Sequence, residues 1–261
     1  MTLVKHELKQ GLTSLIIWTV SIAALILVCV LVFPEMAEQA DAVGEMFSSL
    51  GVFTEAVGMD RLNIGTLPGF YSVECGNILG IGGALFAALI AITILSKEEK
   101  DRTAEFLITH PVSRLRIITE KLIAVIIEII VLNAVVYLTG IISIIIVGEN
   151  VPWKEFNLMH LSFLLMQIEI ASICFGISSF LRKNSMGIGL GLAMMLYFLN
   201  IVANITDKAE FLKYITPFGY TEGADIISDG AINSTMVLLG MLYAAIGIAA
   251  AYWQYSRKDI H

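Results

Sequence analysis

Long apolar segments separated by shorter polar ones dominate the chain. Six of them cover residues 12–33, 72–96, 117–147, 160–181, 185–205 and 232–255. A helix needs about 20 mostly apolar residues to cross the roughly 30 Å hydrocarbon core of a bilayer, and each segment reaches that length. The pattern predicts an all-α, polytopic membrane protein with six transmembrane helices, in a single transmembrane domain over residues 1–261.

The basic residues predict how these helices are oriented. Twelve of the 16 Lys and Arg residues lie on one side: eleven in the two terminal segments and in the loops 97–116 and 182–184, and Lys121 at the start of the third apolar segment. The other four lie in the loops of the opposite side. Short cytoplasmic loops carry the excess of Lys and Arg. Both termini and residues 97–116 are therefore expected in the cytoplasm.

The two longer outer loops differ in character. Residues 34–71 are acidic, and apolar residues from Met36 to Leu50 recur at helical spacing. This predicts an amphipathic helix that covers the ends of the bundle, rather than a receptor site. Residues 206–231 contain Pro217, Gly219 and Gly223, which interrupt any continuous helix and predict a broken or partly re-entrant one.

Small residues at helical spacing predict where helices pack closely. They form stripes on three segments: Gly76, Gly80 and Gly83; Gly187 and Gly191; Gly240, Ala244, Gly247 and Ala251.

Composition narrows the possible functions. Charged residues make up 15% of the chain, against about 25% in soluble domains, and the net charge of −7 argues against a nucleic-acid partner. The sequence contains no P-loop, no HExxH, no Gly-x-Ser-x-Gly and no Cys/His spacing typical of a metal site. We therefore expect no catalytic residues, metal or cofactor on this chain, and no enzymatic activity.

A few polar side chains fall inside the apolar segments. Glu128 and Glu169 are the acidic residues farthest from the segment ends, and a charged residue at a helix centre costs about 2.5–3.5 kcal/mol on insertion scales. Each could act in transport, or could be protonated or hydrogen-bonded to a neighbouring amide. Lys121, on the same helix face as Glu128, is expected to extend to the headgroups. The candidates for a translocation path are Glu128, Asn133, Gln167, Glu169 and Asn200.

Residues 97–116, KEEKDRTAEFLITHPVSRLR, are the longest polar interruption on the predicted cytoplasmic side. Charges of both signs alternate there with Phe106 and Leu107, and the pattern is helical up to His110 and stops at Pro111. The segment is either a solvated helix on the membrane surface or a helix that inserts into a groove of a partner. Composition alone does not separate these two.

A resemblance to a known family favours the second alternative, a helix that inserts into a groove of a partner. The string Glu-x-x-x-Thr-x-Glu-x-Leu-x-x-x-Pro-Val-Ser-Arg from Glu99 to Arg114, followed by Lys121, resembles the loop between spans 2 and 3 of type-2 ABC exporter permeases. That family has a form close to E-x-x-G-T-L-E-x-L-L-x-x-P-V-S-R. Arg102 and Ala104 depart from it. The six spans and the segment from Pro217 to Ile226 are also similar.

The resemblance implies a complex in a bacterial cytoplasmic membrane. Two permeases, either two copies or two paralogues, form the pathway, and two cytoplasmic ATPase subunits bind ATP and Mg. The loop forms a coupling helix seated in the ATPase, Pro111 ends it, and Ser113 with Arg114 starts the next helix. Residues 5–10 form a second contact along the membrane surface. The implied coupling residues are Glu98, Glu99, Thr103, Glu105, Phe106, Leu107, Pro111 and Arg114.

The sequence therefore predicts the permease subunit of an ATP-driven exporter. The scattered interior polar groups suit an amphipathic or hydrophobic peptide, and the resemblance includes permeases that export phenol-soluble modulins and lantibiotic-like peptides. One alternative is a transporter or channel driven by an ion gradient through Glu128 and Glu169. Another is a non-transporting accessory or immunity protein. The identity of the substrate and of the ATPase stays open, as does the choice between an enclosed channel and a groove open to lipid.

Overall fold

The structure is a computed structural model that describes residues 2–39, 54, 61–96, 113–181 and 186–257. Within these ranges the chain is helical, with no strand. Six helices are long and apolar enough to cross a membrane, which confirms the predicted fold class. The six long helices are α1 Thr2–Glu38, α2 Leu67–Ile94, α3 Arg114–Ile146, α4 Trp153–Ser178, α5 Met186–Ile205 and α7 Ser234–Arg257. A short helix, α6 Gly223–Asp229, precedes the last of them.

The helix ends explain two features of the sequence. Residues 5–10 are the first turns of α1 rather than a separate element, and their expected second contact along the membrane surface stays a prediction. Ser113 caps α3, because its side chain accepts a hydrogen bond from Arg116 N at 3.3 Å. This confirms that Ser113 and Arg114 start the helix. Within α2, Tyr71–Cys75 forms a π-helical turn between two α-helical parts.

Contacts between helix ends show that the start of α1 and the end of α7 lie at one end of the bundle, since Arg114 at the start of α3 contacts Ser256 near the end of α7. Leu3 N contacts Glu120 of α3, and Leu95 N, just after α2, donates to Ser178 Oγ of α4 at 3.3 Å. We call this the terminus end. At the opposite, far end, the rings of Phe33 and Phe70 lie 5.3 Å apart. Residues 97–112 therefore connect two helices, α2 and α3, whose adjoining ends lie at the terminus end.

The helices α2 and α4 occupy the middle of the bundle, and α1, α3, α5 and α7 surround them. Large apolar side chains remain exposed on the outer helices, for example Ile17 at 60%, Ile145 at 62% and Leu238 at 66% exposure. Exposed apolar surface of this extent is suited to lipid or to another membrane protein.

The chain between α5 and α7 returns into the bundle. It forms two 3₁₀ helices, Asp207–Tyr214 and Pro217–Thr221, followed by α6. Thr216 Oγ1 donates to the carbonyl of Leu196, halfway along α5, at 2.8 Å. The broken helix predicted for residues 206–231 is therefore present and packs between the long helices. We call residues 215–222 the re-entrant segment.

Two of the three glycine stripes face a neighbouring helix. Gly76 and Gly80 of α2 lie against Phe163, and Gly240 and Gly247 of α7 lie against α4. The prediction for α5 is wrong, because no described atom lies within 4 Å of a side chain built at Gly187 or Gly191. Gly189 packs against Ile92 instead. A four-residue spacing identifies one face of a helix, and residue 189 lies on roughly the opposite face from Gly187 and Gly191.

The predicted amphipathic helix between Met36 and Leu50 falls largely on residues outside the described part. Met36 itself belongs to α1. The covering role of the remaining stripe stays a prediction.

Candidate functional site

A buried ion pair connects three helices at the terminus end. Lys121 Nζ of α3 donates to Glu7 Oε1 of α1 at 2.8 Å and to the carbonyl of Ile94, the last residue of α2, at 2.9 Å. The Lys121 side chain is 0% exposed and that of Glu7 is 2% exposed. The expectation that Lys121 extends to the headgroups is therefore wrong. The carbonyls of a helix C-terminus lack partners within the helix and attract a cation, so Ile94 is a favourable acceptor.

The neighbouring residue on α3 binds the start of α1. Glu120 Oε2 accepts hydrogen bonds from the backbone N–H groups of Leu3 at 3.1 Å and Val4 at 3.3 Å. Its Oε1 accepts from Arg116 Nε at 2.8 Å. The first N–H groups of a helix have no partner within it, and a carboxylate stabilises them. Glu120 and Lys121 thus fix α1 against α3 over the first two turns of α1.

These contacts lie near the helix ends that flank the segment predicted to dock. Residues 97–112 follow the end of α2 at Ile94 in the chain and precede Ser113, the N-cap of α3. Of the predicted coupling residues, Glu98, Glu99, Thr103, Glu105, Phe106, Leu107 and Pro111 lie outside the described residues, so their role stays a prediction. Arg114 is described, and its Nη1 lies 3.4 Å from the carbonyl of Ser256 in α7.

The predicted path residues do not form one site. Glu128 lies between α1 and α3, with its carboxyl group against the bare Cα of Gly11. Asn133 Nδ2 donates to Gln167 Oε1 at 2.7 Å, and the Gln167 amide lies against Gly83. The two amides are the one pair among these candidates that the described contacts bring together. Asn133 Oδ1 and Gln167 Nε2 are buried without a partner in the described part of the chain.

The other two candidates contact the re-entrant segment. Tyr220 Oη donates to Glu169 Oε2 at 2.9 Å, and the same carboxyl group lies against Gly240 of α7. The buried phenol of Tyr220 is the hydrogen-bond donor of this pair. Asn200 Nδ2 donates to Glu222 Oε1 at 2.6 Å. Glu169 thus has a phenol as its partner rather than one of the neighbouring amides considered from the sequence, and the amide of Asn200 binds Glu222 instead.

Sequence reasoning missed Glu7, Tyr220 and Glu222. One signal could have identified Glu7: Lys121 lies seven residues into an apolar helix and requires a buried acceptor, and Glu7 lies at a similar depth in α1. No local signal pairs Tyr220 with Glu169, since 51 residues separate them. Among the described residues no group of three or more His, Cys, Asp or Glu side chains could hold a metal ion.

Comparisons with known proteins cover almost the whole chain. A family model described as "ABC-2 family transporter protein" matches residues 1–260. The chain is also 24% identical over 215 residues to the uncharacterized protein YhcI of Bacillus subtilis (strain 168). That match covers 73% of this chain and 68% of YhcI.

Proposed function

The chain belongs to the ABC-2 family of transporter proteins, and from that membership we propose that it is the permease subunit of an ATP-driven exporter. It is a multi-pass membrane component of transport, without a catalytic role of its own. In this proposal a separate cytoplasmic ATPase subunit, present in two copies, binds ATP and Mg. A second permease, identical or paralogous, completes the complex in a bacterial cytoplasmic membrane. Both termini and segment 97–116 face the cytoplasm.

The buried contact between Lys121, Glu7 and Ile94 is the observation that best supports this proposal. It joins α1, α2 and α3 at the point where segment 97–112 leaves α2 and returns to α3. A force applied to that segment would therefore act on three helices together, because well-packed and ion-paired elements move as units. A coupling helix requires such a rigid connection.

We further propose that the cargo is an amphipathic or hydrophobic peptide. The polar groups of the bundle are few and are spread over several places, which suits neither a sugar nor a free ion. The resemblance to permeases that export phenol-soluble modulins and lantibiotic-like peptides agrees with this. The similar protein YhcI is uncharacterized and adds nothing about the substrate.

Changing the predicted coupling surface should release the ATPase. We expect that Glu105→Lys combined with Leu107→Asp removes a charged and an apolar contact at the centre of the docking helix. Central interface residues typically contribute about 2 kcal/mol or more, which corresponds to a loss of roughly thirtyfold in affinity. The measurement is a pull-down of the tagged chain from native membranes in mild detergent, with ATPase activity assayed in the eluate.

Glu149→Lys is the matched control. It repeats the Glu→Lys substitution of the double variant at an exposed position of the far end, and it should leave the amount of co-purified ATPase unchanged. A wild-type chain that brings down no ATP-hydrolysing partner in several mild detergents would contradict the exporter proposal. Equal recovery of the ATPase with the double variant would contradict the assigned surface.

Glu169 separates this proposal from gradient-driven transport. Its hydrogen-bond partner among the described residues is the neutral phenol of Tyr220, which indicates a structural role. We expect Glu169→Gln to retain this bond and to leave stability and ATPase activity near wild type. Glu169→Leu should lower the free energy of unfolding by about 1–3 kcal/mol, because it leaves the Tyr220 hydroxyl buried and unpaired.

The readouts are thermal unfolding of the purified chain and proton uptake into liposomes under an imposed pH gradient. Transport through Glu169 requires a group that gains and loses a proton, which glutamine cannot do. Proton uptake by the wild type that Glu169→Gln abolishes would favour the gradient-driven alternative and argue against the ATP-driven one.

A further inference from the structure

A small cavity lies at the far end, between α2, α5 and the re-entrant segment. Its volume is about 50 Å³. Ser72 and Val73 of the π-helical turn line one wall, Asn200 of α5 lines another, and Thr221 and Glu222 line the third. A π-helical turn adds a residue to the helix and recurs at functional sites. This cavity is therefore worth considering as a binding site.

Asn200, which lines the cavity, has a hydrogen-bond acceptor that the described residues leave unused, and so does its neighbour Asn204. Asn200 and Asn204 both donate through Nδ2 to Glu222 Oε1, at 2.6 and 2.7 Å. The Oδ1 atoms of both amides are buried and have no hydrogen-bond partner in the described part of the chain. Asn200 itself is 5% exposed. A buried acceptor is unfavourable unless a ligand or a water donates to it, so this wall requires a donor.

The electrostatics favour a positively charged donor. Two neutral amides hold the Glu222 carboxylate, and within the described ranges it forms no salt bridge. Arg61, beside the lining residue Leu62, pairs with Asp225 at 2.6 Å instead. A partly buried carboxylate without a counter-ion attracts a cation.

Aromatic rings complete the lining. Tyr197 and Phe218 have ring centroids 5.4 Å apart at an interplanar angle of 66°, and Phe163 of α4 lines the same cavity. The faces of aromatic rings attract ammonium groups, and their apolar edges accommodate the methylene groups that carry such a cation.

These features together identify the class of ligand. Ca²⁺ takes six to eight oxygen ligands, and the cavity lining includes a single carboxylate. A primary ammonium has three donors and no acceptor, which matches the amide oxygen and the carboxylate. One water occupies about 10–15 Å³ on this measure, so the cavity accommodates an ammonium group with at most a few waters.

We propose that this amine cavity binds a primary ammonium group of the exported peptide, either a lysine side chain or the free N-terminus. The proposal rests on the exporter function and specifies its substrate as a peptide that carries a cation. Asn200 and Glu222 would accept hydrogen bonds from the ammonium, and Tyr197 and Phe218 would pack against the adjoining methylene groups.

The test is peptide binding to the full-length chain in nanodiscs of phosphatidylcholine, a lipid without a primary amine. The probe is a fluorescent amphipathic helical peptide of leucine, alanine and lysine, compared with an analogue acetylated at every lysine and at the N-terminus. We expect Glu222→Gln to weaken binding of the lysine peptide roughly tenfold or more, since a charge-assisted hydrogen bond is lost. The acetylated analogue should bind weakly to both proteins, and methylammonium chloride should compete on the wild type.

Glu210→Gln is the matched control, because it removes an exposed carboxylate from the neighbouring 3₁₀ helix and should leave binding unchanged. Glu222→Gln should remain folded, since its amide oxygen still accepts from Asn200 and Asn204, and thermal unfolding checks this. Equal binding of the lysine peptide to wild type and Glu222→Gln would overturn the proposal. So would equal binding of the acetylated analogue to the wild type.

An effect of Glu222→Gln that requires phosphatidylethanolamine in the discs would assign the cavity to a lipid headgroup and overturn the peptide assignment. The assay contains neither ATP nor an ATPase subunit. A negative result in peptide binding therefore does not affect the pull-down test of the exporter proposal. A negative pull-down likewise does not affect the binding measurement.

Discussion

Lys121→Met is expected to destabilise the protein by about 3–5 kcal/mol, because it leaves the Glu7 carboxylate buried without its counter-ion. The side chain of Glu7 is 2% exposed and cannot reach solvent without separating α1 from α3. The carbonyl of Ile94 loses a donor at the same time. Thermal or chemical unfolding of the purified chain in detergent measures the loss.

Two further variants separate the charge from the packing. The double variant Glu7→Leu with Lys121→Met should recover most of the stability, because well-packed apolar residues often replace a buried ion pair without loss. The control Lys9→Met changes an exposed lysine of α1, the helix that carries Glu7, and should have little effect on stability. A single Lys121→Met variant as stable as the wild type would show that the ion pair contributes nothing.

The double variant also tests coupling. It restores apolar packing between α1 and α3 but removes the hydrogen bond that joins Lys121 to the end of α2. In the proposed exporter we therefore expect ATP hydrolysis to continue while peptide export falls. Peptide export equal to that of the wild type would mean that the hydrogen bond from Lys121 to Ile94 is not needed to transmit movement from the ATPase to the helices.

Gly247→Leu is expected to separate α7 from α4, with a loss of about 3 kcal/mol or more, at the upper end of what overpacking costs. A Cβ atom at Gly247 would lie 2.5 Å from the carbonyl oxygen of Ser172 and 3.0 Å from the Cα of Ile173. One at Gly176 would lie 2.6 Å from the carbonyl oxygen of Gly247. These are backbone atoms, which cannot move aside as a flexible side chain can, so the helices must move apart.

Gly191→Leu is the control for this variant. Gly191 is exposed on α5, and no described atom lies within 4 Å of a Cβ built there. The same substitution should be neutral or slightly stabilising in that position, because leucine favours a helix more than glycine does. Unfolding of both variants under one condition gives the comparison. Equal stability of Gly247→Leu and the wild type would show that α4 and α7 do not pack at this crossing.

Local features of the sequence predicted the helices well. The six long apolar segments correspond to six helices able to cross a membrane. Ser113 begins α3 as predicted, because a cap depends on residues three positions apart. Glycine and proline predicted the break between α5 and α7. The prediction that the glycine stripe of α5 packs against another helix failed, because the spacing of residues along one helix does not show which face another helix covers.

The sequence alone therefore determined the class of protein, the number of helices and the family resemblance, since hydrophobic length and short motifs are properties of neighbouring residues. The partners of the buried polar groups were decided only by tertiary structure. Glu7 and Lys121 lie 114 positions apart, and Tyr220 lies 51 positions from Glu169. A buried charge or amide requires a partner, but several helices offer one. The choice depends on which helix faces meet and at what depth, and that is settled by packing across the whole bundle.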